Sequence, residues 1–214
     1  MMKPTGTDDP AIRRRPRPKG PVEQARALQE ATARLGARRK RDALPLRLET
    51  PRLVLRAPIR GDVPELVRLA DNRTIAERLA RLPHPYTRAD GIAFVEMFSQ
   101  RDDERPYAIT LEDRFAGVVG FSFAAGEPPE LGYWLGEPYW GRGIMSEAVK
   151  ALLEAAFATG LFPVIKARAL KTNLASRHVL EKAGFVFLRE DLEAIGNRAG
   201  EATVCYRLEM PKWS

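Results

Sequence analysis

The residues best suited to chemistry lie in one run, Glu130-Leu-Gly-Tyr-Trp-Leu-Gly-Glu-Pro-Tyr-Trp-Gly-Arg-Gly-Ile-Met-Ser-Glu-Ala148. A strand-like stretch passes through a turn holding Gly141 and Gly143 directly into the strongest helical pattern of the chain. Free backbone N–H groups and the positive end of a helix dipole converge at such a junction, which suits an anion such as phosphate. Neither glycine carries a Cβ, so a phosphate can approach the backbone closely, and Arg142 adds a full positive charge. By itself Gly-x-Gly also fits a plain tight turn. It is not a dinucleotide fingerprint, because the third glycine would fall at Ser146, and it does not match the phosphate loop ending in Gly-Lys-Ser/Thr.

Elements must hold this turn in place. In residues 143–159 the pairs Ile144/Met145, Ala148/Val149, Leu152/Leu153 and Ala156/Phe157 recur every four positions and predict a helix ending at Gly160. Residues 173–183 predict a second helix closed by Gly184, with Asn173 as a favoured N-cap and Ser176 as an ordinary first-turn residue. Arg52-Leu-Val-Leu-Arg56 alternates as a half-buried strand does. Asp62-Val-Pro-Glu65, with Asp62 as N-cap, and Thr87-Arg-Ala-Asp90 each open a helix. Strands are expected at 107–111, 117–123, 130–135, 164–170, 185–188 and 202–208, the first two joined as a hairpin. The order β-α-α-β-β-β-α-β-α-β-β predicts an α/β (α+β) fold, a mostly antiparallel sheet with one parallel crossover through the helix at 143–159.

Charge is distributed unevenly. Of 214 residues, 35 are Lys or Arg and 28 Asp or Glu; residues 1–44 hold 12 basic and 5 acidic side chains, and residues 45–214 hold 23 of each. The chain therefore divides into a basic N-terminal extension, 1–44, and a neutral body, 45–214. Arg13-Arg-Arg-Pro-Arg-Pro-Lys-Gly20 lacks apolar residues and is expected to be mobile, and Pro21 to Gly36 reads as one short helix before a second basic knot, Arg38 to Arg41. The extension reads either as a solvated appendage or as a phosphate-binding or ribosome-docking arm. Cys205 is the sole cysteine, which excludes an intramolecular disulfide and fits a reducing cytosol. With only His84 and His178 besides, no metal site is expected. No secretory signal and no membrane span are legible, so the expected location is the cytoplasm.

The run from Glu130 to Ala148, followed by Asn173-Leu-Ala-Ser176 and Leu180-Glu-Lys-Ala-Gly-Phe185, resembles the GNAT acetyltransferase superfamily over about residues 46–210. Within it the likeness is to the branch of the ribosomal-protein alanine N-acetyltransferases. The resemblance implies a parallel strand pair that splays apart to bind acetyl-CoA. It places the pyrophosphate on backbone amides of Trp140, Gly141, Arg142, Gly143, Ile144 and Met145, and the pantetheine arm along Trp134 and Leu135. One departure is Pro138, where the superfamily usually carries Gln or Arg.

The implied reaction moves an acetyl group from acetyl-CoA to a primary amine, either a protein N-terminus or a small molecule, by direct attack in a ternary complex. Amine attack needs a proton acceptor, and Glu130 is the candidate, with Glu137 a rival in the turn. The resemblance sets Asn173 beside the cofactor as a positioning residue and places the Ser176 hydroxyl near the sulfur, as acid or as hydrogen-bond donor to the thiolate. Tyr86 and His84, between the early helices, are candidates for lining the acceptor pocket, or simply belong to a proline-rigidified loop. His178 is read as a surface histidine. The contrasting expectation is an idle acetyltransferase fold that binds ribosomes or nucleic acid through its basic tail. Both a monomer and a homodimer remain open.

Overall fold

The computed structural model describes residues 20–194 and 196–210. The expectation of a mobile basic segment falls mainly on residues 1–19 and lies outside them. Eight strands form one sheet: β1 (Arg47–Glu49), β2 (Leu53–Arg56), β3 (Glu104–Leu111), β4 (Arg114–Ser122), β5 (Glu130–Leu135), β6 (Val164–Leu170), β7 (Val186–Leu192) and β8 (Ala202–Glu209). Their order is β1-β2-β3-β4-β5-β6-β8-β7, and every neighbouring pair is antiparallel except β5 and β6. The helices are α1 (Pro21–Ala43), α2 (Val63–Ala70), α3 (Arg73–Ala76), α4 (Arg88–Ala93), α5 (Ile144–Ala158) and α6 (Leu174–Lys182).

Alternation along the strands sends residues to two cores. Leu131 and Leu135 of β5, Ile165 and Ala167 of β6 and Val204 and Tyr206 of β8 pack with α5 and Leu180 of α6 on one face. Ala108, Val118 and Trp134 pack with α2 and Val95 on the other. The crossover from β5 through α5 to β6 is what brings the glycine turn to the end of the parallel pair.

Four local expectations change. α1 runs through Gly36 to Ala43, because Ala37-Arg-Arg-Lys-Arg41 propagates a helix well, Arg38 pairs with Asp42 at 3.5 Å, and an interior glycine costs only about 1 kcal/mol. Its last turn is tied to the body: Arg41 Nε donates to the Glu104 carbonyl at 3.1 Å, and Leu44 is 2% exposed within the core. Asp62 does not cap α2; its carboxylate is buried against Arg56, with Nη contacts of 2.7 and 2.8 Å. β1 precedes the first expected strand as its hairpin partner, and a third short helix, α3, stands between the two expected after it.

Candidate functional site

β5 and β6 pair only at Glu130–Lys166 and Leu131–Ala167, whereas β5 continues to Leu135 and β6 to Leu170. The two strands therefore part from Gly132 onward, and the sheet opens into a V. Main-chain direction alternates along a strand. The Pro129 carbonyl accepts from Lys166 on the β6 side, and Gly136 N–H donates to Ala116 on the β4 side. By that alternation Tyr133 and Leu135 present their amides to the opening, while those of Trp134 face β4. Of the two expected residues, Leu135 is on the open side and Trp134 is not. The Leu135 carbonyl is held by the indole Nε1 of Trp140 at 2.7 Å.

The glycine turn closes the wide end of the V. Gly141 and Gly143 have φ of 71° and 72°, the left-handed region in which other L residues are strained. Gly143 caps α5 without any side-chain hydrogen bond, and the first helical bond is Glu147 N–H to the Gly143 carbonyl. The N–H groups of Ile144, Met145 and Ser146 thus have no intrahelical acceptor. No atom lies within 4 Å of where a Cβ would stand on Gly141, so the backbone is open to a close anionic ligand, and the turn fits a pyrophosphate. Trp140 departs from its expected role, since its N–H donates to the Glu137 carbonyl at 3.1 Å.

A brace from the β1–β2 turn fixes the glycine turn. Arg52 donates to the Arg142 carbonyl at 3.1 Å and to Glu147 at 2.7 Å, and Thr50 Oγ1 donates to Glu147 at 2.6 Å. Burial opposes the charge on Glu147, but the bonds from Thr50 and Arg52 outweigh it and hold the carboxyl below its ordinary value.

Within the V, the Tyr133 hydroxyl lies 3.0 Å from Ser176 Oγ and 3.0 Å from the Ser176 carbonyl. Burial pushes the Tyr133 phenol up, so it stays protonated as a donor. Asn173 caps α6 by accepting from Ser176 N–H at 3.2 Å, which fixes the first turn that presents Ser176. The sequence alone does not single out Tyr133; its odd position on β5, facing α6, is the signal that could have done so.

Glu130, Gly132 and Trp134 point to the opposite face. Glu130 Oε1 accepts from Arg168 Nε at 2.9 Å, and Lys166 Nζ lies 3.7 Å from Oε2. Arg168 also reaches the buried Glu193 at 3.4 Å, on the β7–β8 connection. That connection packs on the segment after α3: at Gly196, with φ of 72°, a Cβ would have no room against the Ala80 carbonyl. Gly132 has open space where a side chain would stand.

The remaining candidates fall elsewhere. Glu137 accepts from Asn72 at 2.6 Å. Tyr86 is buried in the α2 core, with burial pushing its phenol up to about 12, and is no pocket liner. His84 Nδ1 lies 3.2 Å from Asp71, and His178 is exposed. Among the described residues no helix is long and apolar enough to cross a membrane, and no group of three or more metal-ligating side chains is assembled.

A splayed parallel pair, an uncapped glycine turn and a crossover helix together define an acyl-CoA-binding type of site, and comparison with known proteins agrees. The acetyltransferase (GNAT) domain family matches residues 52–186, and the chain belongs to that family. It is 36% identical over 91 residues to a probable N-acetyltransferase of Bacillus subtilis (strain 168), covering 40% of this chain and 50% of that protein. It is 34% identical over 94 residues to the ribosomal-protein-serine acetyltransferase of Escherichia coli (strain K12), covering 42% and 51%. The chain thus spans about half the length of these curated relatives. Among solved structures, a ribosomal L7/L12 alpha-N-protein acetyltransferase in complex with coenzyme A superposes with a TM-score of 0.67 at 25% identity, over 78% of this chain and 97% of that one.

Proposed function

We propose that the protein is an acetyl-CoA-dependent N-acetyltransferase acting on a primary amine, with the N-terminal amine of a protein as the favoured acceptor. The observation that carries this reading is the open V between β5 and β6 ending on the uncapped turn at Gly141 and Gly143. The likeness to enzymes of ribosomal proteins supports the acceptor class.

Acetyl-CoA supplies the acetyl thioester. The amides of Gly141, Arg142, Gly143, Ile144 and Met145 bind its pyrophosphate, with Trp140 contributing its indole as part of the wall rather than its N–H. The amides of Tyr133 and Leu135 hold the pantetheine arm as an added strand and polarise the thioester carbonyl, and Trp134 packs behind them. Ser176, with Tyr133 at 3.0 Å, protonates the leaving sulfur, and Asn173 positions Ser176 through the α6 cap. Glu130 stands on the acceptor side, and its pairing with Arg168 and Lys166 favours an electrostatic role, orienting the incoming ammonium, over taking its proton.

The enzyme works in the cytoplasm, as a monomer or homodimer, and its basic extension offers contact to RNA on a ribosomal particle. Release of coenzyme A thiol from acetyl-CoA, in the presence of peptides beginning with Ala or Ser and of polyamines, tests the assignment. Faster release with the peptides than with polyamines is expected, and no release above the buffer rate with any amine overturns the reading. Removal of residues 1–36 leaves Arg41 and Leu44 in place, so turnover on a short peptide should hold while RNA binding at low salt falls.

A further inference from the structure

Charges around the glycine turn are paired, with two exceptions. Arg52 holds Glu147 at 2.6 Å, Arg68 holds Glu65 at 2.7 Å and Arg73 holds Glu77 at 2.9 Å, while Glu137 accepts from Asn72 at 2.6 Å. The guanidinium groups of Arg78 and Arg142, both exposed, have no carboxylate partner and no hydrogen-bond acceptor among the described residues. Each lies against a ring instead: Arg78 over Trp140, 5.2 Å from its centre, and Arg142 over Tyr139 at 5.9 Å. Those rings belong to consecutive residues that lead into Gly141.

Arg142 belongs to the turn, but Arg78 does not. It follows α3, its N–H bonded to the Ile75 carbonyl at 3.0 Å, and reaches the turn from a separate part of the chain. A guanidinium stacked on an indole uses its face and keeps its N–H groups, which lie in its plane, for another partner. The same indole donates to the Leu135 carbonyl on the open side of β5, so Arg78 stands where the proposed donor passes from the V to the turn.

We propose that Arg78 is a donor-specificity residue, binding a phosphate of acetyl-CoA while the Trp140 indole holds its guanidinium in place. The assignment rests on the acetyltransferase reading above. The open terminus of α5 offers about half a positive charge, whereas a phosphate monoester alone carries about −1.5 to −2 near pH 7, so the amides leave most of the coenzyme's charge unbalanced. Arg52 does not supply the difference, because it is committed to Glu147 and to the Arg142 carbonyl. Arg78 and Arg142 are cations at the turn that no carboxylate of the described residues neutralises. Coenzyme A bears phosphate in two places, the pyrophosphate and the 3′-phosphate of its ribose, and both offer the oxygens that an arginine edge takes.

The test is calorimetric titration of wild type, Arg78→Met and Arg78→Lys with acetyl-CoA and with 3′-dephospho-acetyl-CoA, at about 50 and about 500 mM NaCl, with ligand-free thermal melts alongside. In Arg78→Met the dissociation constant for acetyl-CoA should rise roughly 10- to 30-fold at the lower salt and much less at the higher, and Arg78→Lys should recover part of the loss. The ligand-free melt should move little, because the side chain is exposed and forms no ion pair that the change would break. An equal loss for both donors assigns the contact to the pyrophosphate, and a loss confined to acetyl-CoA assigns it to the 3′-phosphate; either supports the proposal. Wild-type affinity in Arg78→Met, or a loss of the same size at both salts, overturns it and leaves the acetyltransferase reading intact. Failure of wild type to bind either donor overturns both.

Discussion

The two helices that follow the parallel strands begin in opposite ways. α6, after β6, is capped by its own Asn173, whose side chain accepts the Ser176 N–H. α5, after β5, is entered through Gly143 in the left-handed region with no side-chain cap at all. A protein that can cap one helix and leaves its neighbour's donors open has kept those donors for something else. On the proposed function, the α5 terminus receives an anion and the α6 terminus holds a hydroxyl still.

The largest test breaks the open end. Gly143→Val forces a β-branched residue to φ near 72°, which distorts the turn, and sets its Cβ 3.7 Å from the Arg52 guanidinium that braces it. Acetyl-CoA at ~100 times its dissociation constant should stabilise wild type by about 2–3 kcal/mol and the variant by nothing, in a thermal shift assay. A full shift in Gly143→Val would remove this turn from the binding site. Next is the hydroxyl that α6 presents: Ser176→Ala or Tyr133→Phe should lower kcat roughly 10- to 100-fold with the acetyl-CoA shift intact, in steady-state kinetics. Wild-type kcat in both variants would mean that solvent protonates the sulfur.

Smaller effects separate capping from binding. Asn173→Ala should cost about 1 kcal/mol in denaturant unfolding, Asn173→Asp should recover it, and neither should change acetyl-CoA affinity more than twofold. Equal stability in Asn173→Ala would show that the cap is idle. Glu147→Gln should cost up to about 1 kcal/mol at pH 7. The native carboxyl lies below its ordinary value of 4.5, so its contribution is complete above that pH and drains away as pH falls below it. The gap between variant and wild type should therefore close in acid, and a gap that persists at pH 3 would exclude the Arg52–Glu147 brace as its cause.

Legibility in the sequence followed the range of the interaction. Strands β5 and β6 appear at the residues expected, because alternation between turn signals is local. The glycine turn was readable for the same reason, since positive φ at Gly141 and Gly143 is a property of the residue type. Asp62 misled because its local pattern was a cap while its actual partner, Arg56, lies on the preceding strand. The end of α1 was misplaced at Gly36 because glycine only weakens a helix that strong formers continue. Tyr133 and Ser176 are 43 positions apart and meet only once β5 and α6 are both placed. β3 starts at Glu104 rather than at the expected Tyr107, because its first residues are held by pairing with β4, up to Glu104 opposite Ser122, and that partner lies 18 positions away.

Trp140 gives the molecule an optical consequence. Its indole N–H is bonded to the Leu135 carbonyl on the open side of β5, Arg78 lies 5.2 Å from its ring centre, and the residue is 36% exposed. A pantetheine arm laid along β5, as proposed above, would compete for that carbonyl and drive water from the ring. On the proposed binding mode, the Trp140 contribution to emission should follow donor loading on the timescale of mixing, without label or coupled enzyme, and Trp140→Phe, which keeps the partly buried Trp134 and also Trp213, supplies the blank.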